Sequence, residues 1–183
     1  MMMEKKLKRD EFLLRIGGLP NGTHYSSIIC DKTFFDIAQM EELHDGYLDL
    51  QIKTEIQDKN VQVDFNFKGY VVAACDRCLD DVKVPMDFSE SLVVKMVENP
   101  AAFDNQQDDN LWIINENDPT IDIFHFVYES ILLALPMKIV HPDDENGNST
   151  CNPEILKKLN ELTAKEDDTD PRWDALKDLK LDE

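Results

Sequence analysis

Polar and apolar residues alternate along the middle of the chain. Between residues 48 and 56, apolar side chains alternate with charged and amide side chains, and the alternation returns over 61–67 after a turn at 58–60. A period of two is typical of a β-strand with one buried and one wet face. The two runs predict a long antiparallel hairpin, and a third alternating run over 82–96 predicts a strand beside it.

Shorter patterns add further elements. Apolar runs predict strands at 11–16, 23–30 and 111–114. The segment 33–43 suits a short helix or a loop. Gly69 interrupts the alternation just before a continuous apolar run over 71–74, which predicts either a bulge or the passage of a strand into the interior.

One segment has the apolar spacing of a buried helix. Apolar residues recur at helical spacing over 121–135, after Asp118-Pro119-Thr120 as a helix opener and before Pro136 as a stop. Because Ile123, Phe126 and Leu133 are apolar as well, we expect this helix to be covered on more than one side and to pack on the sheet.

Together these elements predict an α+β fold. We expect a twisted, mostly antiparallel sheet, a packed core helix, and short C-terminal helices at 153–162 and 171–181. Residues 1–163 form the predicted domain, with the Cys pair at a hairpin tip, and 164–183 form an acidic linker with a terminal amphipathic helix. The acidic stretch 98–110 has no apolar period and reads as a surface loop.

The charge balance narrows the choice of partner. The chain of 183 residues carries 38 Asp and Glu against 19 Lys and Arg, a formal net charge of −19. Nucleic-acid affinity comes mainly from bases that neutralise phosphates, so this acidity disfavours bare RNA and favours a basic partner. A basic cluster does lie within residues 1–9, where a solvated N-terminus is the simpler explanation.

Neither secretion nor membrane insertion is expected. The longest apolar run, 131–136, is far shorter than the roughly 20 residues of a membrane span. Asp10, Glu11 and Arg15 follow the basic opening in place of the apolar stretch of a signal peptide. We therefore expect a cytoplasmic protein, in a compartment where its four cysteines stay reduced.

Cys75 and Cys78 form a CxxC motif between two predicted strands. Two thiolates at this spacing can hold one edge of a tetrahedral zinc site, which needs two more ligands. The available candidates are His24, Cys30, His44, His125, His141 and Cys151. His141 and Cys151 share one polar loop, and with the CxxC pair they predict a Cys₃His site for one structural zinc ion.

Other interpretations of these cysteines stay open. The pair can be an empty site, with His141 and Cys151 as ordinary loop residues. A thioredoxin-type redox role is less favoured, because that motif opens a helix and because Asp76 would raise rather than lower a thiol pKa. We expect Cys30, in an apolar strand, to be a buried small hydrophobe.

Signatures of catalysis are missing from the sequence. Gly17-Gly18 is not followed by the Lys-Ser/Thr of a phosphate loop, and there is neither a nucleophile elbow nor a carboxylate pair on an apolar face. We expect no enzymatic activity and no small-molecule substrate. The stripe formed by Trp173, Leu176 and Leu179 is a candidate partner-binding surface, unless it merely fastens a terminal helix to the domain.

Several landmarks follow one another in a fixed order. They are Cys75-Asp76-Arg77-Cys78-Leu79, Ile131-Leu132-Leu133-Ala134-Leu135-Pro136, His141 followed by Cys151, and Asp170-Pro171-Arg172-Trp173 before a Leu/Lys helix. In this order the chain resembles the YceD family, described as large ribosomal RNA subunit accumulation proteins. The resemblance covers most of the chain, from the first strand to the last helix.

This resemblance implies a cytoplasmic, non-enzymatic accessory factor in large-subunit ribosomal RNA accumulation or ribosome assembly. It implies metal ligands at Cys75, Cys78, His141 and Cys151. Some family members carry a second CxxC after the L-A-L-P segment, whereas this chain has only Cys151 there, which excludes a four-thiolate site.

The implied partner is a large-subunit ribosomal protein or ribosomal RNA. Given the net charge of −19, we hypothesise that the protein acts through a basic ribosomal protein. The alternative is a zinc-stabilised protein-interaction adaptor without a ribosomal role.

Overall fold

The main sheet has five strands and confirms the predicted α+β fold. In this computed structural model, which describes residues 8–40, 42–103 and 111–163, the strands lie in the order β2 (Gly22–Cys30), β3 (Leu43–Gln57), β4 (Asn60–Ala74), β5 (Asp81–Val97) and β6 (Leu111–Asn115). Neighbouring strands are antiparallel except for β5 and β6, which are parallel. The chain divides into two compact units, residues 1–140 and 141–183, and the sheet belongs to the first.

The long hairpin predicted from the alternating pattern is β3 and β4. Gln57 pairs with Asn60 across a two-residue turn, in which Asp58 has a φ of 54°. Such a positive φ at the first turn residue matches the right-handed twist of the flanking strands. Leu48 and Leu50 on β3 are fully buried, so the apolar face of the alternation is the core face.

Gly69 does not mark a bulge, so that expectation is wrong. It pairs with Leu48 on one side and Met86 on the other in unbroken register, and the register shift lies between Leu43 and Asp45 instead. The glycine is required because a Cβ atom there would lie 2.0 Å from the carbonyl oxygen of Tyr47, at a φ of +150°. The other expectation holds, since β4 continues into the core beyond Tyr70.

Replacing Gly69 by alanine is therefore expected to destabilise the protein by about 2 kcal/mol or more, because a strained φ adds to a backbone clash. Gly18→Ala is the matched control, since Gly18 also has a positive φ but nothing lies within 4 Å of its added Cβ. Chemical unfolding in urea measures both variants. Equal losses of stability in the two variants would contradict the close approach at Gly69.

The segment before the main helix is a strand, and the predicted helix opener at 118–120 is wrong. β7 (Thr120–Asp122) pairs with β1 (Leu13–Arg15) in a separate two-stranded sheet, and a 3₁₀ turn (Arg9–Phe12) precedes β1. The helix α2 (Phe124–Leu133) begins only after this pairing ends. There the Asp122 carboxylate accepts a hydrogen bond from the N–H of Phe124 at 3.0 Å.

Aromatic residues of helix α2 contact the sheet and the N-terminal part of the chain. Phe126 contacts Phe65 of the sheet, with ring centroids 4.8 Å apart, and Trp112, at 6.0 Å. At the helix start, Phe124 joins a buried cluster with Phe12 and Phe34. We expected neighbouring residues to cover this helix on more than one side, but Leu133 in its last turn is 86% exposed.

The segment before β3 contains a helix rather than a loop. Helix α1 (Lys32–Ala38) begins where the Asp31 side chain accepts a hydrogen bond from the N–H of Thr33 at 2.9 Å. This is an N-cap, in which a short acidic side chain satisfies a free backbone donor. The helix ends at Gln39, which takes the left-handed conformation.

The second unit contains helix α3 (Pro153–Leu162), with the predicted bounds. The Asn152 side chain caps it by accepting a hydrogen bond from the N–H of Glu154, and Pro153 occupies the first turn. The predicted helix at 171–181, with Trp173, Leu176 and Leu179, lies outside the described residues. Of the acidic segment 98–110, the structure describes a 3₁₀ turn (Pro100–Phe103), and 104–110 lie outside its description.

Across the described parts of the chain, none of the helices combines the length and the apolar character that crossing a membrane requires.

Candidate metal centre

The CxxC motif forms the tight connection between β4 and β5. Cys75 follows the last residue of β4, and its N–H donates to the carbonyl oxygen of Asp80 at 2.9 Å. The N–H of Leu79 donates back to the carbonyl oxygen of Cys75 at 2.8 Å, with Leu79 in the left-handed region at a φ of 64°. Both cysteines are buried, since Cys75 is fully buried and Cys78 is 3% exposed. The Cys pair therefore lies at the tip of the hairpin formed by β4 and β5.

Asp76 fastens the chain that follows α2 to this tip. Its N–H donates to the carbonyl oxygen of Ile139 at 2.7 Å, and its carboxylate accepts from the N–H of Ile139 at 2.6 Å. These two hydrogen bonds hold the backbone of Ile139 beside the CxxC motif.

The loop from His141 to Cys151 is held by hydrogen bonds, not by regular structure. The Asp144 carboxylate accepts from the backbone N–H groups of Asn148, at 2.8 Å, and Asn146, at 2.9 Å. These bonds, led by the one from Asn148, lower the pKa of the Asp144 carboxyl group. The hydroxyl of Thr150 donates to the carbonyl oxygen of Pro142 at 2.7 Å and draws the two ends of the loop together.

Closing the loop brings its two candidate ligands together. The Sγ atom of Cys151 lies 3.8 Å from the Nδ1 atom of His141. Cys151 is 4% exposed, and His141 is half-buried. The irregular loop predicted over 141–151 is thus ordered by its own polar side chains, with an isolated bridge between Asp143 and Ser149.

The structure brings together the four side chains that the sequence predicts as ligands. One ligand atom from each of Cys75, Cys78, His141 and Cys151 lies within 4.8 Å of the other three. Around a tetrahedral zinc ion, with Zn–S distances of about 2.3 Å and Zn–N distances of about 2.0 Å, ligand atoms lie roughly 3.5 to 3.8 Å apart. Three thiol sulfurs and one imidazole nitrogen are a donor set that suits zinc.

The other cysteine and histidine candidates lie outside this cluster. Burial, assisted by the nearby Asp31 carboxylate, raises the pKa of the Cys30 thiol to about 12, as expected of a buried small hydrophobe. His24 hydrogen-bonds the carbonyl oxygen of Pro20, and His44 hydrogen-bonds Asp81 at 3.1 Å. His125 packs edge-on against Phe124. Each of these side chains has a local structural role.

The sequence interpretation missed two residues that build the site. Asp76 was considered only for its effect on thiol pKa, whereas its carboxylate and N–H both hold Ile139. Asp144 was not singled out, although it orders the loop between the two later ligands. The spacing Asp144-x-Asn146-Gly147-Asn148 was the available signal, because Asp, Asn and Gly favour tight turns closed by side-chain hydrogen bonds.

The fold and the site define the class of an α+β protein with three cysteines and one histidine that could share a metal ion. The profile of the family described as "Large ribosomal RNA subunit accumulation protein YceD" matches residues 63–180, which include all four cluster residues. The chain is also 31% identical over 128 residues to "Uncharacterized protein YlbN" of Bacillus subtilis (strain 168), an alignment that spans 69% of this chain and 70% of that protein. No solved structure matches the chain.

The chain belongs to the YceD family, as the order of its landmarks indicated. The family takes its description from the accumulation of large-subunit ribosomal RNA.

Proposed function

We propose that this protein is a non-enzymatic accessory factor for large-subunit ribosomal RNA accumulation, held in shape by one zinc ion and acting through a basic ribosomal protein. Membership of the YceD family carries the ribosomal part of this proposal. Because the family is described by the accumulation of ribosomal RNA, we place the protein in the cytoplasm. The chain's own side chains support the choice of metal and of partner.

The proximity of four ligand atoms supports zinc. Cys75, Cys78, His141 and Cys151 would hold the ion, which would complete four-coordination and leave no open position for a substrate. A closed site of this kind stabilises structure and does not activate water. Its role would be to fix the loop 141–151, which is short of regular structure, at the end of the hairpin.

The distribution of charge supports a protein partner over bare RNA. Several described bases are already engaged with acids: Arg9 with Asp122, Lys53 with Glu55 and Asp64, Lys59 with Glu116, and Lys68 with Asp87. Bases paired in this way neutralise the protein's own carboxylates, so they offer little to a phosphate backbone. With a net charge of −19, the surface instead attracts a cationic protein.

Asp76 gives a prediction specific to the zinc site. Asp76→Asn keeps the size of the side chain but replaces the charged acceptor for the Ile139 N–H by a neutral amide. We expect zinc affinity to fall by about 10- to 100-fold, as is typical when a group that positions metal ligands is altered. Asp87→Asn, which changes an exposed carboxylate 3.8 Å from Lys68, is the matched control and is expected to keep full affinity.

Competition with a chromogenic zinc chelator measures both variants. Equal zinc affinity in Asp76→Asn and the unaltered protein would mean that the contact between Asp76 and Ile139 does not position the site.

Co-purification tests the ribosomal role. The full-length protein, tagged and purified from its own cells in moderate salt, is expected to recover large-subunit ribosomal proteins, and ribonuclease treatment is expected to leave at least one of them bound. Recovery of unrelated enzymes alone would reject the ribosomal role. Binding that disappears with ribonuclease and falls steeply with salt would establish direct RNA contact and reject the protein-mediated route.

A cellular measurement complements the binding experiment. Cells that lack the protein are expected to show a lowered ratio of large-subunit to small-subunit ribosomal RNA. The wild-type gene should restore that ratio, and a variant with both Cys75 and Cys78 replaced by serine should not.

A further inference from the structure

One outer strand of the main sheet has an unpaired edge. β2 lies at the end of the strand order and pairs only with β3, and no described strand or backbone hydrogen bond engages its other side. Edge strands are commonly protected by short length, by charged residues or by proline. β2 has nine residues, Gly-Thr-His-Tyr-Ser-Ser-Ile-Ile-Cys, without Lys, Arg, Asp, Glu or Pro.

The ladder register identifies which backbone groups face outward. Gln57 and Asn60 flank a two-residue hairpin turn, so they form a hydrogen-bonded pair, and alternate residues of β3 from Gln57 back bond to β4. The intervening residues of β3 form their backbone hydrogen bonds with β2 instead. Ile52 pairs with Ser26, and Thr54 pairs with His24. The free edge is therefore formed by the N–H and C=O groups of Thr23, Tyr25, Ser27 and Ile29.

A cavity of about 520 Å³ adjoins this strand. Its lining combines residues of β2 with the N-terminal segment. Apolar side chains are contributed by Leu13, Leu14, Leu19 and Ile28, and polar or charged ones by Asp10, Glu11, Arg15 and His24. On the other face of the sheet, Tyr25 is 78% exposed. A strand added to β2 would thus place alternate side chains towards this cavity, beside its leucine side chains, and the intervening ones over the solvent-facing surface near Tyr25.

We propose that the free edge of β2 binds an extended segment of a basic partner protein, in which apolar and cationic residues alternate. Backbone hydrogen bonds would provide the pairing and the cavity would accept the apolar side chains, as in other cases of strand addition. A second copy of this chain is the less favoured occupant, because each copy carries a net charge of −19. The inference rests on the proposed function only for the cationic character of the partner.

Amide exchange measured by NMR on the full chain tests the edge directly. The probe is a synthetic peptide of about nine residues with alternating lysine and valine, and a peptide with glutamate in place of lysine is its control. In the free protein, the amides of His24, Ser26 and Ile28 are expected to be protected and those of Thr23, Tyr25 and Ser27 to exchange fast. The lysine peptide is expected to protect the second set, and the glutamate peptide is not.

Ser27→Pro isolates the edge contact. Proline removes the outward N–H of Ser27 without touching the bonds from β2 to β3, and proline is tolerated at such edge positions. We expect at least about a tenfold loss of affinity for the lysine peptide, and no loss in the control Ser27→Ala. Unchanged protection at His24, Ser26 and Ile28 will show that Ser27→Pro is folded.

Three results would overturn the inference. The first is binding of the lysine peptide that is equally tight in Ser27→Pro. The second is protection of Thr23, Tyr25 and Ser27 in the free monomer, because the chain itself would then cover the edge. The third is protection that rises with protein concentration alone, which would assign the edge to a second copy.

These outcomes are separable from the ribosomal role. Co-purification of large-subunit proteins that persists in Ser27→Pro would retain the proposed function and reject the docking edge.

Discussion

Cys78→Ser is expected to abolish stoichiometric zinc binding and to lower the stability of the protein markedly. The Cys78 thiol is one of four ligand atoms within 4.8 Å of one another, and a serine hydroxyl is a poor replacement for a thiolate on zinc. A ligand present at about 1,000 times its dissociation constant stabilises the folded state by about 4 kcal/mol. Loss of that contribution should lower Tm by about 10 °C for a chain of this size.

Cys30→Ala is the control that distinguishes the loss of a metal ligand from the loss of any buried cysteine. Cys30 is as buried as Cys75, but it lies outside the cluster, so the variant is expected to keep about one zinc per chain. It should still lose about 1 kcal/mol, because truncating a buried thiol leaves a small cavity. Metal analysis and thermal unfolding of both variants measure the two effects. Zinc retained in Cys78→Ser, or lost equally from both, would contradict the proposed ligands.

Phe34→Ala is expected to destabilise the protein by about 3 to 5 kcal/mol without releasing zinc. Phe34 is fully buried, and its ring centroid lies 5.3 Å from that of Phe12, 5.4 Å from Phe35 and 5.5 Å from Phe124. Removing a buried aromatic ring loses transfer free energy and leaves a cavity that its neighbours fill only partly. The cluster joins α1 to the start of α2, so its loss should loosen the packing at both helices.

Leu133→Ala is the surface control for this core substitution. Leu133 is apolar, lies on α2 and is 86% exposed, so its truncation should change the free energy of unfolding by no more than about 0.5 kcal/mol. Urea unfolding compares the two variants. A loss below about 1 kcal/mol in Phe34→Ala would mean that the aromatic cluster is not part of the stable core.

Strands that have one buried face and one exposed face could be predicted from the sequence. Alternation identified β3, β4 and β5, because a period of two reports a buried and a wet face directly. β7 was not recognised, since its three residues carry too short a pattern and its partner, β1, lies more than a hundred residues away. The local sequence Asp118-Pro119-Thr120 therefore suggested the start of a helix. In the structure, pairing with the distant β1 makes Thr120–Asp122 a strand instead.

Gly69 shows a different limit of the sequence pattern. A glycine within an alternating strand is compatible with a bulge and with a close approach of two backbones. Only the position of the Tyr47 carbonyl oxygen, 2.0 Å from the place a Cβ would occupy, distinguishes between them. Similarly, the exposure of Leu133 could not be predicted, because helical spacing says nothing about which neighbours are present.

The four residues of the candidate site could be predicted from the sequence, but the hydrogen bonds that support them could not. Cys75 and Cys78 follow from their spacing, and His141 and Cys151 follow from sharing one polar loop. The hydrogen bonds between Asp76 and Ile139 join residues 63 positions apart, and no local pattern indicates such a contact. The stripe of Trp173, Leu176 and Leu179 stays a prediction as a partner-binding surface.

X-ray absorption at the zinc edge of the full-length protein identifies the atoms bound to the metal. We expect about one zinc per chain, coordinated by three sulfurs at about 2.3 Å and one nitrogen at about 2.0 Å. A purified protein that binds no zinc at neutral pH, or whose zinc shell is made mainly of oxygen or of four sulfurs, would contradict the claim that Cys75, Cys78, His141 and Cys151 hold the ion.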